Sequence, residues 1–115
     1  MARQLGYATI AVLRAIRNGY EYGTDIMDRT GLPSGTVYPT LSRLDERGLL
    51  RSRWERRELA DAERRPRRRY YRLTAPGERV LDAAIRRLAV LTDDSTAHSR
   101  AEAVMRDDVA PEGAR

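Results

Sequence analysis

The sequence predicts a mainly α chain with one small antiparallel β-hairpin, ordered helix, helix, helix, strand, strand, helix. Three observations predict it. Apolar residues recur at spacings of three and four over stretches ahead of Gly48 and again from Leu81 onward. Between Leu49 and Arg56 the period shortens to two, and a second run from Arg68 to Thr74 is rich in strand-forming aromatic and apolar residues. Glycine or proline stands at most of the junctions between these stretches. At 115 residues the chain suffices for one domain with one core, and a partner subunit would help to cover its apolar surface.

Leu5, Ala8, Thr9, Val12, Leu13 and Ile16 give the first helix, over about residues 4–17, and Asn18-Gly19 ends it. A short second helix runs from Tyr22 to Thr30, with Ile26 and Met27 on one side and Gly31 where a terminating glycine belongs. Leu32-Pro33 makes a tight connection, and Ser34 is the candidate N-cap of the third helix. On that helix Val37, Leu41 and Leu44 line one face, while Thr36, Thr40, Arg43 and Arg47 line another. Pro39 falls early in it and removes one backbone hydrogen bond. The two strands hold Leu50, Ser52 and Trp54, then Tyr70, Tyr71 and Leu73, and residues 57–67 read as a long charged loop between them. Thr74 caps a last helix with Pro76 in its first turn and a stripe of Leu81, Ala84, Ile85, Leu88 and Leu91. Asp93-Asp94-Ser95-Thr96 weakens the helical pattern, and residues 107–115 read as a disordered tail.

Two helices joined by the few residues around Gly31–Ser34, followed by a basic hairpin, make a winged helix-turn-helix. The expected organisation is a winged domain over residues 1–74, a C-terminal dimerisation helix over 75–106 and the tail over 107–115. No apolar run approaches the ~20 residues that cross a bilayer. Met1-Ala2-Arg3-Gln4 lacks an apolar signal segment, so a cytoplasmic protein without membrane contact is expected. With no cysteine there is no disulfide framework and no thiolate metal site.

The charge pattern points to a polyanion. The net charge is +5, and all 22 basic residues are arginine. Residues 43–72 carry twelve arginines against six acidic residues, while the rest of the chain carries ten against eleven. The whole basic excess therefore lies in one stretch covering the third helix and the hairpin. Arginine presents a planar fork of donors that matches phosphates and guanine edges. Catalysis has no support. The one histidine, His98, lies near the end, Asp25 and Asp28 read as a solvated helix face, and no phosphate loop or metal-ligand spacing appears. No enzyme activity, cofactor or metal is expected.

The strings YGTDIMDRTGLPSGTVYPTLSRLDERGLL and RRPRRRYYRLTAPGERVL, over about residues 22–81, closely resemble the PadR family of bacterial transcriptional regulators, in its short-chain subfamily. The resemblance implies a homodimeric repressor of transcription bound to double-stranded operator DNA and, in many members, released by a small aromatic or lipophilic effector. It implies that the C-terminal helix of each subunit packs on the first helix of its partner. Leu5 and Val12, with Leu81, Ala84, Ile85, Leu88 and Leu91, are the residues expected there. For DNA, Ser34 and Gly35 offer free N–H groups to a phosphate. Thr36, Thr40 and Arg43 face base edges. Tyr38 and Pro39 match the family motif, and Arg65, Arg67, Arg68 and Arg69 lie along the backbone or in the minor groove.

Other readings stand beside these. Tyr70 and Tyr71 serve packing rather than stacking on bases, Tyr38 is a half-buried residue, and Arg47 pairs with a neighbouring carboxylate. Arg51, Arg53, Arg56 and Arg57 solubilise a strand edge. A winged domain also serves elsewhere as a protein-interaction module without specific DNA binding. Two departures from the family pattern matter. Arg64 stands where a wing-tip glycine is common, and Trp54 lies in the first wing strand instead of the C-terminal helix.

Overall fold

The computed structural model of the chain describes residues 5–93, and side chains as far as Val90. These residues form α1 (Tyr7–Arg17), α2 (Gly23–Thr30), α3 (Ser34–Glu46), β1 (Leu50–Trp54), α4 (Arg57–Ala62), β2 (Arg69–Leu73) and α5 (Ala75–Asp93). Packing divides the chain after Ala84 into two units, so the first ten residues of α5 belong with the winged unit. An expected boundary at residue 74 would have cut them off.

In the first unit the apolar stripes of three helices close on one another. Val12, Leu13 and Ile16 of α1, Ile26 of α2, and Val37, Leu41 and Leu44 of α3 are all buried. Each such side chain taken from water contributes about 1.5–3 kcal/mol. Leu50 and Tyr71 add the inner face of the hairpin, and Leu81 and Ala84 add α5. The strands pair antiparallel, in register from Leu50 opposite Leu73 to Trp54 opposite Arg69. A feature the periodicity did not reveal extends this ribbon. The residues just before α2 bridge to β2 through Tyr22 and Tyr70, and the Tyr71 N–H donates to the Glu21 carbonyl at 2.8 Å.

Gly31 ends α2 in the left-handed region at φ 77°, a conformation that costs other residues about 1–2 kcal/mol. Its N–H returns to the Met27 carbonyl at 2.8 Å. The N-cap of α3 is Pro33 rather than Ser34, and no side chain caps this end. Pro33 is extended at ψ 162°, and its carbonyl already accepts the Thr36 and Val37 N–H groups at 2.9 and 3.0 Å. Ser34 thereby becomes the first helical residue. Thr74 caps α5 as expected, since its hydroxyl oxygen accepts the Gly77 N–H at 3.1 Å. Arg17 at the end of α1 then fastens α5 through Glu78 and Asp82, at 2.8 and 2.7 Å.

Two expectations need correction. Residues 57–67 are not a plain loop, because Arg57–Ala62 coil into α4. No glycine or proline interrupts that stretch, and Ala60 anchors it at 1 % exposure. Val12, Leu81 and Ala84, assigned to a partner interface, are 0, 0 and 3 % exposed and belong to the chain's own core. A helical stripe marks an apolar face but not whose core that face covers. Leu5 precedes α1 and is half-buried.

The second unit, described alone, is the continuation of α5 from Ile85. Ile85 is half-buried, and Leu88 and Val90 are exposed. The Leu91 side chain, residues 94–106 with His98, and the tail 107–115 lie outside the described residues. No described helix is long and apolar enough to cross a membrane.

Candidate nucleic-acid interface

The α2–turn–α3 pair sets the geometry of the site. The Thr30 hydroxyl donates to the Ile26 carbonyl at 2.7 Å and accepts the Leu32 N–H at 3.2 Å, tying the turn to α2. Beyond it, the N–H groups of Ser34 and Gly35 have no acceptor within their own helix. Both residues are exposed, as are Pro39 and Arg43. That end of α3 is an arrangement of donors open to an anion.

Arg43, Thr36 and Thr40 do not share one environment. Arg43 is exposed and Thr36 half-buried, but Thr40 is 2 % exposed. Thr40 is therefore withdrawn from the base-reading set. At 3.6 residues per turn it lies only about 40° round the helix from Leu44, at the edge of the buried stripe. Its hydroxyl oxygen receives the Arg43 guanidinium at 3.4 Å, which places Thr40 beneath Arg43 instead of beside it. Tyr38 is 45 % exposed. A Cβ added to Gly23, the first residue of α2, would overlap the Tyr38 phenol, so Gly23 leaves the space that the ring occupies.

The wing brings its arginines to the same place. Tyr22 just before α2, Gly23, Thr24 and Tyr38 from the helices, and Trp54, with residues 65–69, from the wing border one groove of about 420 Å³. Its walls are largely aromatic and its rim is cationic. The Arg68 guanidinium stacks on Tyr22 with its carbon 4.1 Å from the ring centre, and Tyr22 meets Tyr70 edge-on at 5.4 Å. Arg67 and Arg69 lie over Trp54 at 5.5 and 5.4 Å. Arg69 is also held by the Ser52 hydroxyl at 2.9 Å and reaches Asp45 at 3.5 Å. Tyr71 is buried, and Tyr70 packs against Tyr22 and beneath Arg53.

Arg65 is the second correction to the expected contacts. It forms a two-pronged pair with Glu55 at 2.7 and 2.8 Å, bonds Glu63 at 2.8 Å, and reaches the Pro66 carbonyl at 3.3 Å. Four of its five N–H donors are thereby used. Its partner Glu55 is 4 % exposed and was missed in the sequence, where it reads as one more charge in a charged run. The Arg65 guanidinium, helped by the Arg68 N–H and opposed by burial, holds the Glu55 carboxyl well below the usual range, at about 2. Reciprocally, Glu55 and Glu63 raise the Arg65 pKa.

Three helices with a helix-turn-helix, followed by a basic two-stranded wing, define a winged-helix DNA-binding protein. The transcriptional regulator PadR-like family matches residues 11–83, and the chain belongs to that family. Its members are transcription regulators and not enzymes. No curated protein matches the chain. Among solved structures it is similar to a PadR-like transcription factor from Bacteroides fragilis, at 25 % identity and a TM-score of 0.64 over 76 % of this chain and 85 % of that one. It is also similar in fold to a PadR-family regulator from Clostridium difficile, at 22 % identity and a TM-score of 0.66 over 81 % of this chain and 97 % of that one. The PcaV transcriptional regulator of Streptomyces coelicolor, solved with its natural ligand, is 27 % identical with a TM-score of 0.63, over 96 % of this chain and 79 % of that one.

Proposed function

We propose that this regulator represses transcription as a homodimer, reading a palindromic operator with α3 and clasping the flanking backbone with its wing. The carrying observation is the shared groove. Tyr38 of the recognition helix and Arg67 and Arg68 of the wing border one concavity, so a DNA strand seated on one meets the others. In this reading Arg43, with Thr36, supplies base contacts in the major groove. The free N–H groups of Ser34 and Gly35, with Tyr38, hold a phosphate, and Pro39 lies against the same strand. Arg67, Arg68 and the exposed edge of Arg69 follow the backbone. Dimerisation uses the exposed part of α5 from Ile85 onward and spaces two recognition helices by about 34 Å. Release by a small aromatic or lipophilic ligand is part of the proposal, supported by the ligand-bound relative.

The test is a gel-shift titration on the DNA beside the gene, at two salt concentrations. Arg43→Ala is expected to weaken operator binding by about 1–3 kcal/mol while leaving non-specific binding nearly unchanged. Equal loss on both removes Arg43 from base reading. Arg67→Ala is expected to lower affinity for every sequence and to flatten the salt dependence by about 0.9 for each phosphate it no longer neutralises. For the effector, aromatic carboxylates and lipophilic compounds are screened for a raised melting temperature, since binding to the folded state stabilises it by mass action.

A further inference from the structure

One carboxylate in the wing is buried although every neighbouring residue from Arg51 to Arg57 other than Ser52 and Trp54 is a charge with access to water. Glu55 sits just after β1 and is 4 % exposed. A buried charge is kept only where its lone pairs are satisfied, and here the partners come from the far side of α4. Arg65 grips both carboxylate oxygens, at 2.7 and 2.8 Å, and the Arg68 N–H donates to one of them at 3.1 Å. The backbone of Glu55 joins in. Its N–H donates to the Arg68 carbonyl at 2.7 Å, and its carbonyl accepts Arg67 Nε at 2.9 Å. One residue thus fixes positions 65, 67 and 68 and closes the segment that contains α4.

The guanidinium groups divide accordingly. Arg65 is only 20 % exposed at its side chain and faces two carboxylates. The Arg68 guanidinium makes no hydrogen bond or ion pair to the described residues and rests on Tyr22. Among the described residues Arg67 hydrogen-bonds through Nε alone, which leaves both terminal nitrogens. We propose that Glu55 is a positioning residue for DNA binding: with Arg65 it latches the wing so that the ends of Arg67 and Arg68 meet the DNA backbone, and Arg65 itself touches no DNA. This rests on the DNA-binding role proposed above.

The sign of the effect separates the latch from plain electrostatics. Removing a negative charge near DNA should tighten binding by Coulomb attraction alone. The latch requires the opposite. Glu55→Gln is expected to bind non-specific duplex DNA about tenfold more weakly, with a salt slope shallower by roughly 1–2, as though Arg67 and Arg68 no longer reached their phosphates. Arg65→Ala is expected to do the same, and the double variant to be no worse than either single one, since both break one unit. Unchanged or tighter binding by Glu55→Gln overturns the proposal, as does additive loss in the double variant. A second measurement needs no DNA. Hydrogen exchange at the Glu55 and Arg68 amides is expected to quicken in Glu55→Gln while α1–α3 keep their protection. Unaltered wing amides overturn the latch even where DNA binding changes. If the unmodified chain binds no DNA yet the wing amides quicken, the DNA-binding reading fails, and the positioning role falls with it.

Discussion

Gly23 and Arg64 show how single residues act through space and backbone conformation. A methyl group on Gly23 would collide with the Tyr38 phenol, but that ring is the far end of a half-exposed side chain and is able to swing aside. Gly23→Ala should therefore cost little stability, within about 1 kcal/mol, since alanine suits a helix better than glycine. It should lower DNA affinity as much as Tyr38→Ala does, and the two changes together should add nothing further. Additive losses in a binding titration would mean that Gly23 matters for another reason. Arg64 takes the left-handed conformation at φ 56° without being glycine. That strain costs of order 1–2 kcal/mol, partly offset because glycine is more flexible in the unfolded chain. Arg64→Gly is thus expected to raise stability by about 0.5–1 kcal/mol in a denaturant titration. A loss of stability would show that the Arg64 side chain makes a compensating contribution.

At the scale of elements, the wing is where local pattern and structure part. Glu55 has its folded pKa held at about 2, against an ordinary 4.5. A group with a lowered folded pKa contributes its stability above the unfolded value and loses it as pH falls toward the folded value. The wing should accordingly loosen between about pH 4.5 and 2, as Glu55 takes up a proton and releases Arg65 and the Arg68 N–H. Trp54 is the chain's single tryptophan, and both Arg67 and Arg69 lie over its ring. Its fluorescence should change in that window ahead of the helical circular dichroism, and Glu55→Gln should remove the early step. If both proteins respond alike, the transition belongs to other carboxylates. Such a lock was not legible in the sequence, because the partner stands ten residues away across α4, and α4 is itself too short to show a period. Helices α1 to α3 were legible since each buries one face, which periodicity reports directly. Thr40 was misread for the same reason that the others were read well. It sits at the border of the stripe, where a polar residue and a buried position look alike, and only packing decides.

For the whole molecule, the homodimer proposed above raises the question of which part of α5 would meet a second copy. Burial of Leu81 and Ala84 within the winged unit leaves Ile85, Leu88 and Val90, among the described side chains of α5 beyond Ala84, as large apolar residues not fully buried. Leu88→Glu should therefore leave the helical content intact while reducing the mass measured by light scattering from two chains to one. DNA affinity should then collapse by well over tenfold, because two half-sites bind tightly only when joined. Leu81→Ala, by contrast, removes a fully buried side chain and is expected to cost about 2–5 kcal/mol of stability. Well below its lowered melting temperature it should remain dimeric. The reverse pattern, a dimeric Leu88→Glu and a folded but monomeric Leu81→Ala, would place the contact on the earlier turns of α5. A subunit would then have to uncover its own core to reach its partner, and folding and association would become a single step dependent on protein concentration.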